Sequence, residues 1–484
     1  MHLLTGATGY IGGRLLRRLQ RDGEPVRCLC RNPEALAWSA ATGTELVRGD
    51  LLQPASLGNA FSGIDTAFYL VHSMNSGEEF EAEERNAASN FALAAREAGV
   101  RRIIYLGGLA HGAGLSPHMR SRAETGNILR SSGVPVVELQ ASIVIGSGSA
   151  SFEVIRALVE RLPVMITPRW VNTAAQPIAI EDVIEYLVAA ARLPTTSNLT
   201  FEIGGADVTS YAGIMYEYAR QRNLRRWILR VPFLSLSLSS RWLTLITPVY
   251  AAIGRCLIES VRNPSVVRSP AALEAFDIKP MGITRAIERA LTNEDCDVAE
   301  TRWCDARAQG ENFAAQREPA HNLLVNEQTV RVPLSPMQAF APIRRIGGRT
   351  GWYFGNVLWK IRGLIDLMIG GVGMRRGRPD PETPFPGSTL DFWRVEFYEP
   401  GRRLRLFAEM KLPGRAWLEF CAEPDGSSTV IRQLAQFEPR GLAGMLYWYL
   451  LRPVHALMFR GMLRRITVRL TMDSPLTSSF FTES

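Results

Sequence analysis

The residues best placed to do chemistry form one short string, Thr5-Gly6-Ala7-Thr8-Gly9-Tyr10-Ile11-Gly12. Leu3 and Leu4 precede it, and Leu15, Leu16 and Leu19 follow at helical spacing, so the string reads as strand, glycine-rich turn and helix. Each glycine has a physical task. Gly6 lets the chain turn sharply, Gly9 lets backbone approach a pyrophosphate, and Gly12 lets the helix pack close to the strand. A pyrophosphate then rests on the free N–H groups and the positive dipole end of the helix. The spacing is G-x-x-G-x-x-G, and the ligand it predicts is a dinucleotide.

Other chemistries find little support. The six histidines are scattered, no H-E-x-x-H occurs, and no metal site is expected. Gly146-Ser147-Gly148 is not a G-x-S-x-G elbow. Glu81, Glu83 and Glu84 read as a solvated helix face. Cysteines 28, 30, 256, 296, 304 and 421 form no C-x-x-C pair, which fits free thiols in a reducing cytoplasm.

The elements that must position the glycine string follow in alternation. Strands are predicted at Pro25–Arg31, Glu45–Arg48, Thr66–Val71, Arg101–Leu106 and Val134–Gln140, with helices over Glu78–Ala98 and Met119–Ser131. Such alternation gives a doubly wound parallel sheet covered on both faces, an α/β Rossmann-type fold. Residues 146–290 read as a mixed, substrate-side segment within a first domain of residues 1–295. Residues 231–258 carry only Arg241 and Arg255 as charges, but Pro248 and the lack of a long apolar run argue against a membrane span. Residues 296–328 read as a polar linker. From Thr329 the pattern turns antiparallel, with strands at Asp391–Glu399, Arg402–Met410, Ala416–Glu423 and Ser428–Glu438. An apolar helix over Leu442–Ile466, with a kink expected at Pro453, closes a second, α+β domain of residues 329–468 before a tail of 469–484. Its aromatics Trp393, Phe397, Trp417, Tyr447, Trp448 and Tyr449 either line a cavity between sheet and helix or form plain core.

At 484 residues the chain exceeds one core, which predicts two or three domains. The net charge of +8 is uneven: residues 331–484 hold 22 Lys+Arg against 13 Asp+Glu, and the rest is nearly neutral. A basic second domain points to an anionic surface or ligand, or serves solubility alone. No zinc-finger spacing, RNA-binding motif or basic helix supports nucleic acid. Nothing resembles a signal peptide, and the expected location is the cytoplasm, with peripheral contact at the inner face of the membrane.

With Thr5–Gly12, Arg31-Asn-Pro33, Gly49-Asp-Leu51 and Tyr69-Leu-Val-His-Ser-Met74 in order, residues 1–290 resemble an atypical short-chain dehydrogenase/reductase, close to the NmrA-like and complex-I-subunit-like NAD(P)-binding proteins. The C-terminal part resembles a START-like (SRPBCC, helix-grip) domain, on the Gly351-Trp-Tyr-Phe354 and Gly441–Arg465 stretches. The resemblance implies that Gly6, Gly9 and Gly12 hold the pyrophosphate with Tyr10 and Ile11 beside it, and that Thr5 and Thr8 belong to the same cofactor site. Arg31 stands where NAD-preferring members keep an acidic residue, so it pairs with a 2′-phosphate and favours NADP over NAD, unless it is a solvated turn residue. Asp50 and Leu51 would flank the adenine, and Leu70, Val71 and His72 the floor of the site.

The family's Tyr-x-x-x-Lys pair does not carry over, because the first lysine is Lys279. Its place reads His118-Met-Arg-Ser-Arg122. Arg122 can hold ribose hydroxyls but cannot relay protons, whereas His118 has a suitable ordinary pKa. Three functions follow as expectations. The first is an NADP(H)-binding oxidoreductase with His118 and Arg122 as catalytic candidates and a small, apolar substrate. The second is a non-catalytic NADP(H) sensor or assembly factor. The third is a carrier of a lipid or quinone in the second domain, touching anionic membrane.

Overall fold

The computed structural model of the chain describes residues 1–31, 43–72, 78–109, 114–167, 169–230, 263–295 and 324–369, most of 371–472, and Pro33, Leu36, Ala41 and His111. The chain divides into two compact units, Met1–Gln309 and Gly310–Ser484.

In the first unit β1 (His2–Thr5) runs into α1 (Tyr10–Arg21), followed by β2 (Val26–Cys30), β3 (Thr44–Arg48) and β4 (Thr66–Tyr69). Then come α2 (Glu78–Glu97), β5 (Arg102–Gly108), α3 (Pro117–Arg130), β6 (Val136–Ala141), α4 (Ala150–Arg161), α5 (Ile180–Arg192) and β7 (Leu199–Ile203). The seven strands form one parallel sheet in the order β7-β6-β5-β4-β1-β2-β3. Every residue of β4 is buried, as helices on both faces of a parallel sheet require. One face packs Leu15, Leu16 and Leu19 of α1 with Val183 and Leu187 of α5. The other packs Ala88 and Phe91 of α2 with Leu129 of α3. Strand order reverses between β4 and β1, the kind of switch point at whose carboxyl edge open α/β sheets bind their ligands.

A satellite core forms within the expected substrate-side segment. There α4 packs with α6 (Tyr211–Gln221) and α7 (Ile283–Asp295) around Phe152, Ile155, Tyr218 and Ile287. The charge-poor stretch 231–258 lies outside the described residues, as do 296–323 of the linker.

The second unit contains β8 (Leu324–Val332), α8 (Pro336–Arg344), α9 (Asn356–Met368), β9 (Thr389–Leu390), β10 (Trp393–Glu399), β11 (Arg403–Ala408), β12 (Gly414–Asp425), β13 (Ser428–Pro439) and α10 (Gly441–Met472). Its sheet is antiparallel, in the order β8-β13-β12-β11-β10-β9. The alternation in β13 buries Ile431, Ala435 and Phe437 on one face, and α10 packs over β8 and β13. Helix α10 runs 32 residues, through Pro453, and so extends past the expected Ile466. Among the expected aromatics, Trp393 and Trp448 are buried, the latter stacked on Phe437 at 5.7 Å between ring centres. Phe397 and Tyr449 are exposed.

Phe91 meets Phe61 at 5.1 Å and Tyr69 at 4.9 Å, edge to face, beneath the central strands. Phe91→Ala should therefore destabilise the first unit by about 3–5 kcal/mol in denaturant melts, since a cavity would open in a closed core.

Candidate active site

The glycine string folds as a turn with no room to spare. Gly6 has φ +74, and a Cβ there would stand 2.6 Å from the Leu70 carbonyl oxygen. A Cβ on Gly12 would stand 2.2 Å from the Gly6 carbonyl oxygen, so helix and turn touch backbone to backbone. The Gly9 N–H donates to that same carbonyl at 2.9 Å and closes the turn. Gly9 then caps α1 without any side-chain acceptor, and the first helical turn holds no acidic residue. The positive end of α1 is thus open to an anion.

Neighbouring side chains are fixed around this turn. The Thr5 hydroxyl donates to the Phe68 carbonyl at 2.9 Å and accepts from the Leu70 N–H at 3.3 Å, stitching β1 to the exit of β4. Tyr10 packs under the Arg14 guanidinium, 5.0 Å from its ring centre, and Arg14 donates to the Ser147 carbonyl at 2.9 Å. A Cβ on Gly146 would come within 2.4 Å of the Tyr10 hydroxyl, so that glycine makes room for the tyrosine. Thr8 and Ile11 are half-buried beside them.

Farther along the carboxyl edge, Arg31 is exposed directly after β2, and its carbonyl accepts from Arg48 at 3.3 Å. Asp50 is half-buried and shapes its own loop: its carboxylate accepts from the Leu52 N–H at 3.0 Å, and its backbone N–H donates to the Ser56 hydroxyl at 3.0 Å. The Leu51 side chain packs into the core with Leu3 and Leu29.

Beyond Leu70 and Val71, a continuous polar chain links β4 to α2 and α3. Glu84 Oε1 lies 2.7 Å from His72 Nδ1, and His72 Nε2 lies 3.2 Å from His118 Nδ1. The Ser121 hydroxyl donates to the other Glu84 oxygen. Arg122 donates to the Leu106 carbonyl at the end of β5, while the Tyr105 hydroxyl donates to the Arg122 carbonyl at 2.9 Å. Gly108 leaves space for Met119 and Arg122, whose atoms a Cβ would meet at 2.7 and 3.3 Å.

The electrostatics of this cluster favour neutral rings. Desolvation lowers the His118 pKa to about 2, helped by His72 and Arg122 and opposed by Glu84. Desolvation and Arg122 likewise lower His72, against the pull of Glu84. The surrounding phenols, Tyr69 and Tyr105, are pushed up by burial and stay protonated.

The structure brings His72, His118 and Arg122 together, and beside them stands Glu84, which the sequence hides. The expectation of a solvated Glu84 is corrected: it is buried and carries the inner end of the chain. Ser121 was also missed. Its spacing three residues after His118 on one helix was the available signal.

Residues 6–141 match a family described as NAD(P)H-binding, and residues 320–462 match a family described as protein of unknown function (DUF2867). The N-terminal unit thus contains the NAD(P)H-binding match, and its sheet and glycine turn are the parts that fall within it. A ceramide reductase of Caulobacter vibrioides (strain NA1000 / CB15N) is 26% identical to this chain over 231 residues, 47% of this chain and 73% of that protein. The photosystem II assembly factor Ycf39 of Cyanophora paradoxa is 27% identical over 248 residues, 49% of this chain and 73% of its own. The triphenylmethane reductase of Citrobacter sp. superposes with a TM-score of 0.50 over 60% of this chain and 99% of its own, at 18% identity, a likeness of fold.

Two outcomes follow for the NAD(P)-binding domain. Gly12→Ala should abolish dinucleotide binding in calorimetry, because its Cβ would push α1 off the turn. Below pH 6.5 the unfolded chain takes up a proton at His118 that the folded chain refuses until about pH 2, so stability falls as pH drops through that window. His118→Asn should shallow the decline in melting temperature between neutral pH and pH 5 by up to about one proton's worth.

Proposed function

We propose that this protein is an NADP(H)-dependent oxidoreductase for an apolar carbonyl substrate, in which His118, His72 and Glu84 move the proton that a tyrosine–lysine pair moves in typical short-chain enzymes. The observation that carries this reading is the hydrogen-bonded chain from Glu84 through His72 to His118, whose His72 lies two residues past the Leu70 carbonyl that meets the glycine turn. Kinship with a ceramide reductase supports an apolar substrate.

Reduction of a carbonyl needs a hydride at carbon and a proton at oxygen. The bound nicotinamide supplies the hydride. The proton is the protein's task, and burial beside Arg122, which lowers both ring pKa values, disfavours storing it as an imidazolium. The chain has two arrangements that keep both rings neutral. With Glu84 ionised, His72 donates from Nδ1 to the carboxylate and accepts at Nε2 from His118 Nδ1–H, which leaves His118 Nε2 as a bare lone pair. With Glu84 protonated, every bond reverses and His118 Nε2 carries a hydrogen. The second arrangement holds one more proton than the first, and that proton leaves from His118 Nε2 to a substrate alkoxide while the charge change falls on Glu84. Ser121 donates to Glu84 in both. Arg122 adds positive charge beside the rings and so helps to keep them neutral.

Arg31 supports a preference for NADP, being an exposed cation at the end of β2 where a 2′-phosphate is met. Asp50, Thr8, Tyr10 and Ile11 complete the reading of the cofactor site, with Val71 and His72 as its floor. A second reading, a non-catalytic NADP(H) sensor or assembly factor, is supported by the absent lysine and by kinship with Ycf39. The START-like reading of the second unit, as a carrier of an apolar ligand, draws support from its antiparallel sheet packed by one long helix.

Calorimetry with NADPH, NADP and NADH should show tighter binding of the phosphorylated forms, and Arg31→Ala should erase that difference while leaving NADH unchanged. In turnover with a panel of carbonyl, quinone and enone acceptors, Glu84→Gln and His118→Asn should each slow NADPH oxidation by about 10²–10⁴ without weakening NADPH binding. Tight binding with no oxidation by any acceptor would overturn the enzyme reading in favour of the sensor.

A further inference from the structure

The second unit carries an apolar surface that the dinucleotide chemistry does not use. On α9, Val357, Ile361, Leu364 and Met368 recur at intervals of four, three and four residues, which aligns them in one stripe. All four are exposed, Val357 to 69% and Met368 to 64%. On α10, Leu446, Leu450 and Leu457 form a second such stripe, 61–72% exposed. The same stripe continues at helical spacing into Arg460 and Arg464. The two helices adjoin: Gly355, which caps α9, lies against Met458 of α10, and Gly461 of α10 lies against Phe354.

The charges on these helices have one sign. Helix α10 carries Arg452, Arg460, Arg464, Arg465 and Arg469 and no acidic residue. Helix α9 carries Lys360 and Arg362, and its one carboxylate, Asp366, is wholly buried, accepting from the Gly373 N–H at 2.8 Å and the Lys411 N–H at 2.7 Å. Among the described residues, Arg452, Arg460, Arg464 and Arg465 pair with no carboxylate.

We propose that α9 and α10 dock this protein on an anionic lipid bilayer, with the aliphatic stripes entering the interface and the arginines meeting lipid phosphates. Three observations select that occupant. Exposed leucine, isoleucine and valine without carboxylates suit acyl chains, and a cationic margin suits anionic headgroups. A second copy of the chain would set one array of cations against another, which Coulomb repulsion opposes. No helix among the described residues is long and apolar enough to cross a membrane, so the helices lie on the bilayer and do not span it.

Flotation of the full chain with vesicles tests this. The protein should float with phosphatidylcholine vesicles that contain phosphatidylglycerol, and rising salt should release it. Arg460→Glu with Arg464→Glu should weaken binding about tenfold or more, and Leu450→Asp should weaken it at low salt too. Both variants should bind NADPH as the parent does, which shows that the fold is intact. Absence from anionic vesicles at low salt would overturn the proposal. So would equal binding to pure phosphatidylcholine by parent and variants, or self-association that Leu450→Asp abolishes while vesicles remain unbound.

Discussion

No side chain fits between the Gly6 turn and the Leu70 carbonyl, where even a Cβ would stand at 2.6 Å. That approach joins the two loops which leave the sheet at its reversal of order. The Thr5 hydroxyl reinforces it by bridging Phe68 and Leu70. The functional layout follows from this contact. The turn aims the open end of α1 along the carboxyl edge, and the chain leaving Leu70 delivers His72 to the same edge two residues later. Cofactor cradle and polar chain are therefore held to one another by backbone, not by flexible side chains.

The polar chain shows how burial selects chemistry. Six buried or half-buried groups crowd there: Glu84, His72, His118, Ser121, Arg122 and Tyr105. In water an imidazole pair would share a proton readily, but desolvation together with the Arg122 guanidinium disfavours the charged rings. Glu84, which meets both His72 and Ser121, is the acidic group beside those rings.

Much of this was readable from residue order. The strands of the first unit announce themselves because parallel strands covered on both faces are continuous apolar runs. The glycines announce the turn because their spacing matches two backbone contacts. Glu84 did not announce itself, since it stands among Glu81 and Glu83 in a helix with no strong stripe. Only the packing of α2 against α3 reveals that Glu84, Ala88 and Phe91 share the inward face. The second unit was legible in its antiparallel alternation, whereas the end of α10 was not, because Thr467, Val468 and Thr471 are β-branched and weak helix formers. Asp391 was equally hidden: it adopts φ 56 and accepts from the Trp352 indole at 2.7 Å, a contact set by segments far apart in the chain.

The position of β1 in the sheet has a consequence for how the chain is made. It lies between β2 and β4, and the Thr5 bond to Phe68 joins residues 63 apart. On the ribosome β1 emerges well before the strand that completes its pairing. Until β4 arrives, one edge of an apolar strand and the glycine turn beside it stay open to solvent and to wrong partners. The strand that leads into the glycine turn is thus enclosed only after its partner 63 residues downstream has been made. The Gly6 turn, with the Leu70 carbonyl behind it, takes its final shape only when β4 has joined β1.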